Sequence, residues 1–135
     1  MSTNRTVSIV DDALDITILF KEVLKSIAGI TILTFTDTSL ALEHFQANEC
    51  AYVLVISDFR TPGLNGIEFL SKVKELNRFV RTILMTAFEI DDKALQGYTK
   101  KKIIDAFLQK PISIQDLVKE VNAQLHNYDM QKMKK

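Results

Sequence analysis

Two short apolar segments, each closed by acidic residues, most constrain the fold of this chain. Residues 7–10 read Val-Ser-Ile-Val and run into Asp11 and Asp12, and residues 53–57 read Val-Leu-Val-Ile-Ser and run into Asp58. Nearly uninterrupted apolar segments of this length are typical of strands buried on both faces of a parallel sheet. Because open α/β sheets place their sites at the carboxyl ends of the strands, the three carboxylates are predicted to converge on one crevice.

A cluster of three carboxylates needs a cation. At close range the carboxylates repel one another, and each loses hydration as the crevice narrows. A hard divalent cation with oxygen ligands keeps such a group ionised. The sequence therefore predicts a Mg²⁺ site at Asp11, Asp12 and Asp58.

Strand-like and helix-like segments alternate along the chain with no break that would mark a second domain. Predicted strands cover about 6–10, 31–35, 53–57, 81–86 and 106–109, and predicted helices begin near residues 13, 38, 67, 92 and 114. Five such units with right-handed crossovers predict an α/β fold, a doubly wound parallel sheet of order 2-1-3-4-5 with helices on both faces. This order puts the switch point between the first and third strands, which carry the carboxylates.

The first helix and the last residues of the chain carry more specific predictions. The first helix is predicted to run from about 13 to 28 with one apolar face, formed by Ile16, Leu19, Phe20, Val23, Leu24 and Ile27. The folded domain is predicted to cover residues 1–128. Residues 129–135, which contain Met130, Met133 and three lysines, continue no packing pattern and are expected to fray.

Composition excludes several classes of partner and compartment. The 135 residues are 47% hydrophobic, which is enough for one core. The 17 basic and 17 acidic residues cancel, so neither nucleic acid nor an anionic membrane is expected as a partner. Cys50 is alone and cannot form an internal disulfide, and no apolar stretch is long enough to span a bilayer. The cytoplasm is therefore the expected compartment.

Four motifs at the ends of successive core strands resemble one family. They are Val10-Asp11-Asp12, Asp58 followed by Pro62-Gly63 and Gly66, Thr86-Ala87, and Phe107-Leu108-Gln109-Lys110-Pro111. In order and spacing, over nearly the whole chain, they resemble the receiver domains of two-component response regulators. The resemblance implies the flavodoxin-like fold and a stand-alone receiver, with no DNA-binding or catalytic output domain after the last helix.

The resemblance also implies a role for each charged residue of the predicted crevice. Asp58 would accept a phosphoryl group and form an aspartyl phosphate. Asp12 would bind Mg²⁺ directly and Asp11 through water, and the backbone carbonyl of Arg60 would supply a further ligand. Lys110 would pair with Asp58 and later with a phosphoryl oxygen.

Further residues near the crevice would contact the phosphoryl group or report its presence. The resemblance implies that the Thr86 hydroxyl and the Ala87 backbone N–H each contact a phosphoryl oxygen. Phe107 would be the aromatic switch residue, which turns inward when Thr86 moves toward the phosphoryl group. Arg60 and Phe88 would flank the approach of the water that hydrolyses the aspartyl phosphate, and thereby set its lifetime.

The implied activity is signalling rather than turnover of a separate substrate. Such a domain is not an enzyme in the usual sense, because it catalyses only its own phosphorylation and dephosphorylation. The implied phosphodonor is a sensor histidine kinase, or a histidine phosphotransfer protein in a phosphorelay. A downstream protein partner would bind the face formed by the fourth helix, the fifth strand and the fifth helix.

Three alternatives stay open at this point. A phosphatase of the haloacid dehalogenase type also uses an aspartate, Mg²⁺ and a lysine, but its second acid would fall at Arg60. A flavodoxin-like electron carrier needs a phosphate cradle after the first strand, where this chain has Asp11-Asp12-Ala13-Leu14. A structural receiver that never takes phosphate is the third. Turnover of a phosphate ester would indicate the phosphatase. A yellow colour of the purified protein would indicate the flavoprotein.

Overall fold

Strands and helices alternate in the computed structural model, which describes residues 5–87 and 92–133. The elements are β1 (Thr6–Val10), α1 (Leu14–Leu24), β2 (Thr31–Phe35), α2 (Thr38–Asn48), a 3₁₀ turn (Glu49–Ala51), β3 (Tyr52–Asp58), α3 (Gly66–Leu76), β4 (Arg81–Thr86), α4 (Asp92–Lys100), β5 (Ala106–Gln109) and α5 (Ile114–Met133). The five strands form one parallel sheet of order β2-β1-β3-β4-β5. The predicted doubly wound fold and strand order are confirmed.

The sheet separates two hydrophobic layers. Successive side chains of a strand point to opposite faces, so Ile9 and Ile56 pack in one layer while Val10 and Val55 pack in the other. The first layer contains the buried residues of α1 and α5, and the second contains those of α2 and α3. Strands β1 and β3 lie inside the sheet, and each of their residues is at most 8% exposed. The core therefore fixes the ends of these two strands.

Helix α1 differs from its prediction in length and in the residues that it buries. It ends at Leu24 rather than near residue 28. Its buried positions are Thr17, Phe20 and Leu24, which share one face of the helix. Leu19 is 46% exposed, so its predicted place on the core face is wrong. The physical reason is that Thr17 completes the buried face instead, with its hydroxyl donating to the Leu14 carbonyl at 2.7 Å.

Helix α5 continues past the predicted end of the domain. It runs through Met133, five residues beyond the predicted end of the domain at 128, and residues 134–135 lie outside the described residues. Polar contacts account for the extension. Asp129 accepts from Arg5 at 2.8 Å, and the Gln131 side chain donates to the Phe79 carbonyl. Neither α5 nor any other helix within the described ranges is long and apolar enough to cross a membrane.

Tyr52, at the start of β3, has a buried phenol. Its ring packs edge-on against Phe45, and its hydroxyl lies 2.7 Å from Nδ1 of His44. Burial raises the pKa of Tyr52 from 10.0 to about 12, and the Ser8 side chain partly offsets this rise. The folded state therefore keeps the phenol neutral over a range of pH in which an unfolded chain would ionise it.

This shift predicts a specific loss of stability in alkali. Below pH 10 the phenol is neutral in both states, and between about pH 10 and 12 only the unfolded state ionises, so the free energy of unfolding should fall by about 2–3 kcal/mol. Urea titrations across this range measure the loss. Tyr52→Phe should remove it, and the control Tyr98→Phe should retain it. The same alkaline loss in wild type and Tyr52→Phe would show that another group is responsible.

Candidate functional site

The predicted carboxylates meet at the carboxyl edge of the sheet. Strands β1 and β3 are hydrogen-bonded neighbours, with Val10 opposite Ser57, so Asp11 and Asp58 lie side by side just beyond this pair. One carboxylate oxygen from each of Asp11, Asp12 and Asp58 lies within 4.8 Å of the others. Asp11 is fully buried, Asp58 is 7% exposed, and Asp12 is exposed. The predicted convergence is what the structure shows.

Lys110 enters this crevice from the end of β5. Its Nζ lies 2.7 Å from Oδ2 of Asp11 and 3.2 Å from Oδ1 of Asp58. Its backbone N–H donates to the Thr86 carbonyl at 2.7 Å, which fixes the residue against the end of β4. The second oxygen of Asp11 accepts from the Ala13 N–H at 2.9 Å. Asp11 is thus held from both sides, and one ammonium bridges it to Asp58.

The charges of the crevice are only partly balanced. Burial raises the pKa of Asp58; Lys110 opposes the rise, and the negative charges of Asp11 and Asp12 add to it. Burial alone would lower the pKa of Lys110, but its hydrogen bond to Asp11 and the charges of both aspartates outweigh burial and raise it. Lys110 therefore contacts two of the three carboxylates, Asp11 and Asp58. The three aspartates offer only oxygen ligands and carry excess negative charge, and such a group of ligands suits a hard divalent cation.

The end of β4 adds a hydroxyl beside the crevice. Asp58 is paired with Met85, and the next residue, Thr86, is 5% exposed. Ala87 follows it and is exposed. Phe88, predicted to flank the approach of water, lies outside the described residues.

A cavity of about 620 Å³ opens next to the acidic cluster. Asp12, Arg60 and Glu68 contribute charged side chains to its lining. Arg60 lies in the turn after β3 and is exposed there. The cavity therefore opens this side of the crevice to small molecules, beside Arg60.

Thr38, at the first turn of α2, holds the loop that follows Asp58. Its hydroxyl lies 3.0 Å from the Pro62 carbonyl oxygen and 2.8 Å from the Leu64 carbonyl oxygen, and can donate to either. Its backbone N–H donates to the Pro62 carbonyl at 3.1 Å. The cap of α2 is Asp37, whose side chain accepts from the Ser39 and Leu40 N–H groups. No local signal identifies the contact, because 24 residues separate Thr38 from Pro62.

Phe107 lies on β5 at the level of Leu84 on β4. Its side chain is half-buried and packs against the layer that contains α2 and α3. Lys110 follows three residues later, and its N–H is bonded to Thr86. Phe107 therefore lies three residues before Lys110, on the stretch of chain that ends at the crevice.

A crevice lined by aspartates and a lysine lies at the switch point of this parallel sheet of order 2-1-3-4-5. This combination is typical of flavodoxin-like α/β signalling domains. The sequence pattern of the response regulator receiver domain matches residues 7–122, which is most of the chain. The protein therefore belongs to the response regulator receiver domain family.

Curated relatives agree with this assignment. The DNA-binding transcriptional regulator NtrC of Escherichia coli K12 is 32% identical over 104 residues, which are 77% of this chain and 21% of that protein. The sporulation initiation phosphotransferase F of Bacillus subtilis is 34% identical over 89 residues, or 65% of this chain and 69% of that protein. The chain thus spans about a fifth of the length of the NtrC relatives that it matches.

Solved structures show the same fold. A receiver domain protein from Clostridium thermocellum superposes with a TM-score of 0.82 at 25% identity, covering 94% of this chain and 98% of that one. A BeF3-activated DrrB receiver domain superposes with a TM-score of 0.73 at 26% identity, covering 90% and 97%. These likenesses extend over nearly the whole described chain.

Proposed function

We propose that Asp58 is the phosphoacceptor of this receiver and that Asp11, Asp12, Thr86 and Lys110 assist the transfer. The observation that carries the proposal is the position of Asp58, 7% exposed, with Lys110 Nζ at 3.2 Å and two further carboxylates close by. Phosphoryl transfer depends mainly on positioning and on neutralising spread negative charge. The crevice supplies a nucleophile and a cation in contact with it.

The reaction proposed for the crevice is a displacement at phosphorus. An Asp58 oxygen forms a bond to the phosphorus atom as the bond from phosphorus to the donor breaks, and an aspartyl phosphate results. Lys110 then exchanges its contact with Asp58 for a phosphoryl oxygen while it stays bonded to Asp11 at 2.7 Å. The Thr86 hydroxyl, at the end of β4, and the N–H of the next residue, Ala87, are proposed to donate to other phosphoryl oxygens.

The metal ligands proposed are those of the sequence prediction. Asp12 is exposed and can bind Mg²⁺ directly, while Asp11 is buried, is already bonded at both oxygens, and binds it through water. The Arg60 carbonyl and Asp58 complete the protein ligands. When bound, the cation neutralises the phosphoryl oxygens and so lowers the barrier to attack.

A protein donor is the phosphodonor that we propose, either a histidine kinase or a histidine phosphotransfer protein. Such a donor must cover the crevice so that its histidine reaches Asp58. Exposed apolar side chains lie near the starts of the two helices that follow Asp12 and Lys110 in the chain: Leu14 is 60%, Ile18 54% and Ile114 51% exposed. Apolar surface next to a charged crevice favours a protein donor. The downstream partner is proposed to bind the face of α4, β5 and α5.

The lifetime of the aspartyl phosphate is proposed to depend on Arg60 and Phe88. Arg60 is exposed in the lining of the cavity beside Asp12, where water approaches the crevice. A large side chain there limits in-line approach of water to the phosphorus atom. The phosphatase alternative is not favoured, because Arg60 stands where its second acid would be and the family match assigns a receiver.

Intact mass measurement tests the proposal. The protein is incubated with acetyl phosphate in the presence of Mg²⁺ or of EDTA. We expect one labile phosphoryl adduct with Mg²⁺ and none with EDTA. A protein that takes no phosphoryl group under either condition would instead be a structural receiver.

Thr86→Ala should separate phosphorylation from the conformational response. The hydroxyl is proposed to link the phosphoryl oxygen to the switch, so the variant should bind Mg²⁺ and still be labelled, but show less than about a tenth of the wild-type amide shift changes around Phe107 on labelling. Two-dimensional NMR with and without donor measures this. The control Thr31→Ala, at an exposed strand position, should respond as wild type. Equal shifts in Thr86→Ala and wild type would remove the hydroxyl from the switch.

A further inference from the structure

A basic cleft lies at the end of the sheet opposite the carboxylates. It encloses about 650 Å³ between the ends of α3 and α4, the start of β4 and the last turns of α5. Arg81 begins β4 and Thr86 ends it, so the cleft and the crevice are separated by about 16 Å along the strand. Its lining includes the charged residues Lys74, Arg78, Arg81, Lys101, Lys102 and Asp105.

The inner wall of the cleft is held rigidly by Asp105. This carboxylate accepts from Lys74 Nζ at 2.7 Å and from the Thr82 N–H at 2.9 Å, and Arg81 Nη2 lies 3.5 Å away. Arg81 also donates to the Gln124 side chain at 2.8 Å. Two cations are therefore fixed around a single carboxylate. Side chains held in this way are already ordered when a ligand arrives.

The outer wall adds three exposed cations. Lys101 and Lys102 close the end of α4, and their backbone N–H groups donate to the Gly97 and Thr99 carbonyls at 3.0 Å. Arg78 lies with its guanidinium 5.0 Å from the Phe79 ring centroid. The cleft thus gathers five cations against two carboxylates, Asp105 and the exposed Glu75.

Mutual repulsion among these cations is visible at Lys74. Burial lowers the pKa of Lys74, its contact with Asp105 opposes this, and the charges of Arg81 and Lys102 lower it further. The molecule as a whole has no net charge, so this positive region is local and lies opposite the acidic edge. A bound anion would relieve the repulsion, and the ordered cations would lose little entropy on binding it.

We propose that this cleft binds a compound with a di- or triphosphate group. A cavity of this volume suits a small molecule, and a fork of arginine and lysine donors suits phosphate oxygens. The inner cations contact one phosphate, and Arg78 with Lys101 and Lys102 contact the next. The site is independent of the phosphoacceptor, because none of its residues belongs to the acidic crevice.

Calorimetric titration with inorganic pyrophosphate tests the proposal, in EDTA so that no metal bridges the probe to the aspartates. Wild type and Asp58→Asn should both bind at one saturable site. Lys101→Glu with Lys102→Glu should weaken binding by about tenfold or more, since charge-assisted contacts are lost. The control Lys72→Glu with Lys119→Glu has the same net charge change at exposed positions outside the cleft, and should bind as wild type.

A second titration with ATP separates two sources of the phosphate group. Equal affinity for ATP and pyrophosphate would show that the phosphates alone are recognised, and tighter binding of ATP would show added contacts to the nucleoside. Arg78→Ala should weaken both probes. No saturable binding of either probe, or the same weakening in the control pair as in the cleft pair, would overturn the proposal.

Discussion

Asp58→Asn is expected to take up no phosphoryl group from acetyl phosphate, and Asp12→Ala to be labelled about a hundredfold or more slowly than wild type. The amide has the size of the carboxylate but is not a nucleophile, so the acceptor itself is lost. Removing Asp12 leaves Asp11 and Asp58 as the remaining carboxylates of the cluster, and weakens the neutralisation of the phosphoryl oxygens. Intact mass measured over time gives both rates.

Asp15→Ala is the matched control for this pair. Asp15 is exposed in the first turn of α1, three residues after Asp12, and does not belong to the acidic cluster. It should be labelled within about twofold of wild type, since exposed charges outside the crevice contribute little. If Asp58→Asn is labelled at the wild-type rate, Asp58 is not the acceptor. If Asp15→Ala is labelled as slowly as Asp12→Ala, the slower labelling results from the loss of any nearby negative charge and not from the loss of a metal ligand.

Gly66→Ala is expected to be the most damaging small substitution near the site. A Cβ at Gly66 would overlap the Asp58 carbonyl oxygen and lie 2.9 Å from the Phe59 Cα, both backbone atoms. The Gly66 N–H also donates to the Phe59 carbonyl at 2.8 Å, so α3 begins directly against the acceptor strand. Relieving the overlap must move backbone, which should cost about 1–3 kcal/mol of unfolding free energy and displace Asp58.

Urea unfolding and the rate of labelling measure the two consequences separately. Gly97→Ala in α4 is the control, because a Cβ there meets nothing within 4 Å. Replacing a helical glycine without a clash should stabilise the protein by about 0.5–1 kcal/mol and leave labelling unchanged. Wild-type stability together with wild-type labelling in Gly66→Ala would show that the close approach of α3 to β3 is not required.

The sequence predicts those parts of the structure that depend on local pattern. Buried parallel strands need nearly continuous apolar segments, so β1, β2, β4 and β5 could be placed residue by residue. The acidic residues that close β1 and β3 must then share an edge, because the strand order makes these strands neighbours. The positions of Thr86 and Lys110 at the same edge are predicted by the same rule, because Thr86 ends β4 and Lys110 follows β5. Family resemblance, rather than spacing, supplied their proposed roles.

Features that depend on contacts between distant segments could not be predicted in this way. The exposure of Leu19 depends on which face of α1 the sheet and α5 cover, which helical periodicity alone leaves ambiguous. The order of residues 129–133 depends on Arg5 and Phe79, far away in the chain. The basic cleft depends on Asp105 meeting Lys74 across 31 residues. In each case the decisive partner lies on another element.

Chemical trapping of the adduct tests the central claim most directly. Borohydride reduces an aspartyl phosphate to homoserine, which marks the acceptor permanently. The protein is labelled with acetyl phosphate and Mg²⁺, reduced, digested and sequenced by tandem mass spectrometry. We predict homoserine at position 58 and at no other aspartate. Homoserine at Asp11, Asp12 or any residue other than Asp58, or none at all in a protein that carries phosphate, would contradict the account.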